Sequence, residues 1–260
     1  MTIADKIAHF SRLHVPGTPI RLVNVWDVGS ARAVAEAGAD AVATSSWAVA
    51  AAAGYADGEE LPLDALIDTA EAIVGAVDLP VSVDFEGGYA DAPEQVFIHA
   101  QRLLRHDVVG CNFEDRKVKG EGLYPVEEQA ARLRALLQAG AALGRAVFIN
   151  ARTDLFLGTD PASHAGFVDE ALLRVDAYAA AGAGSFFIPG LTDAGLIERI
   201  CKASPLPVNV MVLDPATDLD AIAALGVARI SFGPAPYIAA MQSLTAMAGQ
   251  LLGAPKAVAA

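Results

Sequence analysis

Eight times along this chain a short run of β-branched and apolar residues is followed by a longer Ala- and Leu-rich stretch of helical periodicity. That alternation limits the fold more than any other feature. The β-rich runs are Ile20 to Val25, Ala41 to Thr44, Val81 to Asp84, Val108 to Phe113, Ala146 to Ala151, Ser185 to Ile188, Val208 to Val212 and Ala228 to Phe232. Helical patterns lie near 29–38, 62–76, 93–106, 125–143, 166–182, 192–203 and 217–225, with a last one from about 236 to 251. A helix between successive strands returns the chain to the same edge, so the strands pair in parallel. Eight such units predict a closed (β/α)8 TIM barrel of the α/β class.

Local signals agree with that reading. Gly38, Gly182 and Gly226 each end a helical pattern just before a strand, where a left-handed residue is needed. Pro80, Pro205 and Pro207 stand before or at strand starts, where a missing amide donor costs little. No shift of composition or Ser/Pro-rich linker divides the chain, so one domain is expected over 1–260, with 1–17 as an N-terminal helix and 236–260 as a C-terminal helix and tail.

Composition narrows the function. With 260 residues, 54% of them hydrophobic, the chain can bury a large core, and its net charge of -13 repels nucleic acid and anionic membranes alike. The expected partner is a small molecule. The start of the chain has no apolar signal core, and no segment runs to about 20 apolar residues. A cytoplasmic protein is the expectation. Cys111 and Cys201 are too few for a disulfide framework. Lys6, Lys117, Lys119, Lys202 and Lys256 all fall outside the ends of strands, which disfavours Schiff-base chemistry.

In such a barrel the chemistry sits where strands exit at their C-terminal ends. The second strand leaves through Thr44-Ser45-Ser46-Trp47 toward Asp57, the third through Asp84-Phe85-Glu86, and the fourth through Glu114-Asp115-Arg116. The fifth leaves through Asn150-Ala151-Arg152, and the seventh carries Asn209. Side-chain alternation puts Asp84 and Glu86 on one face, with Glu114 beside them if the two strands are neighbours. Asp57, Asp84, Glu86 and Glu114 form an oxygen-only set suited to Mg2+ or Mn2+. Arg152 offers a planar fork to a substrate carboxylate or phosphonate, and Glu114 can pair with it. Ser45 and Ser46 can face a developing enolate oxygen. Arg116 opens a loop to Tyr124, with Lys117, Lys119 and two glycines, that reads as a cationic lid.

These segments resemble the isocitrate lyase and phosphoenolpyruvate mutase superfamily, in its short bacterial mutase-like branch. The likeness runs over about 20–235. It is carried by Trp26-Asp27-Val28-Gly29-Ser30-Ala31-Arg32, Ser45-Ser46-Trp47, Gly54 to Glu59, Val83 to Tyr89, Asn112-Phe113-Glu114-Asp115 and Ile149 to Asp154. The resemblance implies a Mg2+-dependent barrel that makes or breaks a C–C or P–C bond beside a 2-oxo acid through an enolate. It implies Asp84 as principal metal ligand, with Asp57, Glu86 and Glu114 holding its waters. Ser45, Ser46 and the Trp47 amide would bind the oxo acid's oxygens, with Arg152 as carboxylate clamp and Arg116 and Asn209 as further substrate contacts. Asp57, Glu114 and Arg152 are the candidate catalytic residues. It also implies a homo-oligomer, dimer or tetramer, in which the last helix is exchanged between subunits.

Isocitrate lyases of that superfamily carry a lid cysteine, and here the lid has none; they carry a glutamate where this chain has Gly190. The expected activity is therefore that of a C–C lyase or decarboxylase other than isocitrate lyase, acting on a small 2-oxo or 2-hydroxy (di)carboxylate. A mutase or hydrolase of phosphonopyruvate-like acids is one alternative. A barrel that binds 2-oxo acids without turnover is the other.

Overall fold

A computed structural model describes residues 1–253 of the chain. After helix α1 (Ile3–Arg12) the chain runs through β1 (Ile20–Leu22), β2 (Asn24–Val25), α2 (Val28–Glu36), β3 (Val42–Thr44), α3 (Ser46–Ala52), α4 (Leu63–Ala76) and β4 (Val81–Asp84). It continues through α5 (Pro93–Leu104), β5 (Gly110–Glu114), α6 (Val126–Ala142), β6 (Phe148–Arg152) and a 3-10 turn at Pro161–Phe167. The remainder is α7 (Val168–Ala181), β7 (Ser185–Phe187), α8 (Ala194–Ala203), β8 (Val208–Met211), α9 (Leu219–Ala224), β9 (Arg229–Ser231) and α10 (Ala235–Leu251).

All strand pairs are parallel, in the order β1-β9-β8-β7-β6-β5-β4-β3-β2. The expected first strand, Ile20 to Val25, is split at Val23. Its first half pairs with β9 and its second with β3, so one segment supplies both ends of the ladder and the sheet wraps into a nearly closed barrel. Strand tilt explains the split: one segment reaches neighbours on both sides by changing partners midway.

Apolar residues fill the layer between sheet and helices. Val83, Phe85, Phe113, Leu133, Ile149 and Val175 are all buried there. The N-terminal end of the barrel is closed by α1, whose Ile7 and Phe10 pack on Leu22, Val109 and Phe148. Each such side chain contributes ~1.5–3 kcal/mol on burial. Gly110 is obligatory at that end, because a Cβ there would lie 1.8 Å from the Phe148 carbonyl oxygen. Gly38, Gly182 and Gly226 adopt positive φ, the left-handed conformation expected of them.

Several boundaries differ from expectation. The N-terminal helix is Ile3–Arg12 rather than 1–17, and the fourth strand extends to Glu114. Helix α3 is unexpected: Ser45 caps it, turning the chain into a helix directly after β3. The last helix ends at Leu251, and the expected tail lies beyond it, with 254–260 outside the described residues. No described helix is long and apolar enough to cross a membrane.

Candidate active site

A cavity of about 250 Å³ opens at the C-terminal ends of the strands. Its polar side is formed by Ser45, Ser46, Asp57, Asp84, Asn112 and Arg152, and the opposite wall is apolar, with Leu157, Phe187, Pro189, Met211 and Leu213. Trp47 stands at the rim, its ring edge-on to Tyr237 of α10.

Asp84, the last residue of β4, is held on both oxygens. Oδ2 accepts from the Ser46 amide (3.1 Å) and the Ser46 hydroxyl (2.9 Å), while Oδ1 accepts from Asn112 Nδ2 (3.3 Å). Its own amide donates to Thr44 Oγ1 at 2.8 Å. Local sequence explains the clamp: the Ser45 hydroxyl accepts from the Ala48 amide, starting α3 and turning Ser46 toward β4. Ser46 is thus committed to Asp84, a use that the expected enolate contact did not include.

The strand ends at Asp84, so alternation does not carry on to Glu86. Glu86 has φ 48°, a left-handed value that non-glycine residues seldom adopt. Its carboxylate turns to the 57–59 loop, where Oε2 accepts from the amides of Gly58 (3.1 Å) and Glu59 (2.8 Å). Glu86 therefore holds the loop that carries Asp57. Burial, then the charges of Asp84 and Asp57, push its carboxyl up to about 8. Asp57 is also raised, chiefly by desolvation and then by Asp84.

Arg152 closes β6 and lies in register with Glu114 of β5. Its Nη1 meets Glu114 Oε2 at 2.8 Å, while Nε and Nη2 meet the Asp154 carboxylate at 2.5 and 2.8 Å. Asp154 was not expected at the site, although its spacing from Arg152 made the pair legible. Desolvation raises Glu114 well above the usual carboxylate range, and Arg152 opposes that rise. Two acids hold the guanidinium in place, and it still lines the cavity.

Among the described residues no three of the acids converge closely enough to chelate a metal directly. The donor set still suits Mg2+ or Mn2+, hard ions that keep several waters and take one or two carboxylates. Asp84 and Asp57 reach the cavity, whereas Glu86 and Glu114 are turned into loop and arginine contacts. Crowded carboxylates driven upward in pKa are what a bound cation would relieve.

Two expected substrate contacts lie elsewhere. Asn209 is fully buried one layer deeper, where its Oδ1 accepts from Ser231 at 3.2 Å; Met211, two residues on, reaches the cavity instead. Arg116 is exposed and does not line the cavity. Its loop pairs Arg116 with Leu123 and is fastened over the 57–60 loop by Lys119, which donates to the Gly58 carbonyl at 3.0 Å and to Glu60. Ser231 of β9 and Asn24 of β2 also line the cavity; each is a single polar residue between apolar neighbours, so no polar run marks it in the sequence. Gly190 has φ 88°, and a Cβ there would lie 2.4 Å from the Phe156 carbonyl oxygen, so no glutamate can replace it without moving backbone.

The model of the phosphoenolpyruvate phosphomutase family matches residues 10–252. A candidate phosphonomutase from Burkholderia cenocepacia J2315 superposes with a TM-score of 0.91 at 47% identity, covering 95% of this chain and 99% of that one. An uncharacterized protein of Mycobacterium tuberculosis (strain CDC 1551 / Oshkosh) is 34% identical over 232 residues, 89% of this chain and 84% of its own. The oxaloacetate decarboxylase of Pseudomonas putida (strain GB-1) is 27% identical over 248 residues, 90% of this chain and 80% of its own. The chain therefore belongs to the phosphoenolpyruvate phosphomutase family, within the isocitrate lyase and phosphoenolpyruvate mutase superfamily of enzymes.

Proposed function

We propose that this enzyme is a divalent-metal-dependent lyase that breaks a C–C bond, or removes CO2, in a small 2-oxo or 2-hydroxy (di)carboxylate through an enolate. The observation that carries the reading is the meeting of Asp84, Asp57 and Arg152 in one small cavity whose other wall is apolar. Asp84 would hold Mg2+ or Mn2+, with Asp57, Glu86 and Glu114 acting through water. When bound, the cation supplies Lewis-acid stabilisation of charge on the substrate's oxygens.

The chain's own residues do the rest. Arg152, steadied by Glu114 and Asp154, retains N–H groups for one substrate carboxylate. Leu157, Phe187 and Met211 give the cavity an apolar wall, which lowers the local dielectric and strengthens charge interactions inside. In decarboxylation the electron pair of the C–C bond passes into the enolate as CO2 leaves, and the carbon then takes a proton. Asp57 lines the cavity, its carboxyl raised above the usual range by desolvation and by Asp84, and it is the residue assigned to that proton return.

The 47% identity to a candidate phosphonomutase favours a second reading, cleavage or rearrangement of a P–C bond. The lyase reading is placed first because the relatives similar over 90% of this chain include oxaloacetate decarboxylases, which break a C–C bond. A turnover panel of oxaloacetate, alkylmalates and phosphonopyruvate, with Mg2+ and with EDTA, tests both. Mg2+-dependent release of pyruvate or a shorter 2-oxo acid is expected; turnover of phosphonopyruvate alone would overturn the lyase reading. We also infer a homo-oligomer, dimer or tetramer, joined through α10, which buries no residue within its own chain and leaves Ile238, Leu244 and Met247 exposed.

A further inference from the structure

Below Asp84 the barrel interior is polar. Arg229 of β9 lies there with no exposed surface, and its hydrogen bonds go to neutral groups: Nη2 to Asn112 Oδ1 at 3.2 Å and Nε to Ser231 Oγ at 3.2 Å. Its Nη1 has no hydrogen-bond partner among the described residues. Burial pulls Arg229 down to about 9, so it stays cationic at neutral pH. A buried charge without a carboxylate partner is a poor source of stability, and a well-packed apolar residue would serve the core as well or better.

What the guanidinium does supply is direction. Asn112 Oδ1 also accepts from Asn150 Nδ2 at 2.8 Å, and Asn150 Oδ1 accepts from Ser185 Oγ at 2.7 Å. Serine and asparagine both donate and accept, so this row could run either way; arginine only donates, and a carboxylate only accepts. With Arg229 beneath it, Asn112 must turn its oxygen down and its amino group up to Asp84. A reversed amide would set donors against Arg229 and Asn150, and its oxygen against the carboxylate. Through the Nε branch, Ser231 is left to donate to Asn209, fixing a second lining residue of the cavity.

We infer that Arg229 is a positioning residue: acting through Asn112, it fixes the Asp84 carboxylate for cation binding without touching substrate or metal. The inference rests on the metal reading above. Position and charge predict opposite results. As a mere positive charge, Arg229 would repel the cation, and its loss would tighten binding; as a positioning group, its loss loosens binding.

The test is Mn2+ binding to the full-length protein, followed by calorimetry and by electron paramagnetic resonance, for wild type, Arg229→Met, Arg229→Lys and Arg145→Met. Arg145, half-buried, bonds the Leu104 and Val108 carbonyls, neither of which lines the cavity, and serves as the control for loss of an arginine packed elsewhere in the barrel. Arg229→Met is expected to weaken Mn2+ binding by about tenfold, the usual effect of losing an outer-shell partner. Arg229→Lys, which keeps a donor but not the fork, falls between, and Arg145→Met matches wild type. Unchanged or tighter binding in Arg229→Met overturns the inference. Should Arg229→Met fail to fold, Arg229→Lys carries the comparison, and wild-type affinity there overturns it. Wild type that binds no Mn2+ would sink the metal reading separately. In that event a crystal structure of the Arg229 variant decides: Asp84 turned away from Ser46 and Asn112 supports positioning, and an unmoved carboxylate refutes it.

Discussion

Replacing Glu86 by glutamine tests the electrostatics of the site in a way that needs no substrate. The carboxyl rises from its usual 4.5 to about 8 because it is buried beside Asp84 and Asp57. A group whose folded pKa lies above its unfolded value stabilises the fold fully below the unfolded value, and that contribution is lost as pH rises through the folded one. For Glu86 the loss runs between about pH 4.5 and pH 8. At ~1.4 kcal/mol per tenfold the gap is worth at most ~5 kcal/mol. The amides of Gly58 and Glu59, which favour the charged form, are already counted in that rise, so a loss of a few kcal/mol, about 5 at most, is the working expectation. Urea unfolding of the EDTA-treated protein at pH 5, 7 and 9 measures it. Wild type should lose stability across that range, Glu86→Gln should lose markedly less, and Mg2+ should restore wild type most at high pH. Parallel pH profiles for the two proteins would refute the crowding of carboxylates on which the metal reading stands.

Other consequences follow from single contacts. Ser46→Ala removes one of the hydrogen bonds to Asp84 Oδ2, a charged, buried contact worth ~1.5–3 kcal/mol, so kcat/KM should fall about 10- to 100-fold with little change of fold by circular dichroism. His14, buried against Phe10 and Phe148, is lowered to about 3 by burial and by Arg229. Its contribution is full above its unfolded value near 6.5 and lost as pH falls toward 3. His14→Leu should therefore lose less stability than wild type between pH 7 and pH 4.5 in urea titrations.

The barrel was legible because its information is repetitive. Eight strand-helix units, with Gly38, Gly182 and Gly226 at their turns, say the same thing in several places, and one ambiguous segment does not change the answer. The site was legible where polar residues end a strand, as at Asp84, Glu114 and Arg152. It was less so where the chain leaves the strand. Parity failed for Glu86, because a left-handed residue follows the end of β4 and re-aims the carboxylate. Asn209 has the correct parity but the wrong depth, and depth depends on the stagger between strands, which no single strand reveals. Arg229 is not legible in the sequence because an arginine inside a barrel is uncommon and its partner Asn112 lies 117 residues away.

Mn2+ binding by Asp84→Ala, measured beside wild type by electron paramagnetic resonance, bears on the central claim most directly. Asp84 reaches the cavity with both oxygens already oriented by Ser46 and Asn112. The alanine variant should remain folded, lose Mn2+ binding and lose all metal-dependent turnover of 2-oxo acids. Wild-type Mn2+ affinity in Asp84→Ala, or turnover that persists in EDTA, would contradict the account.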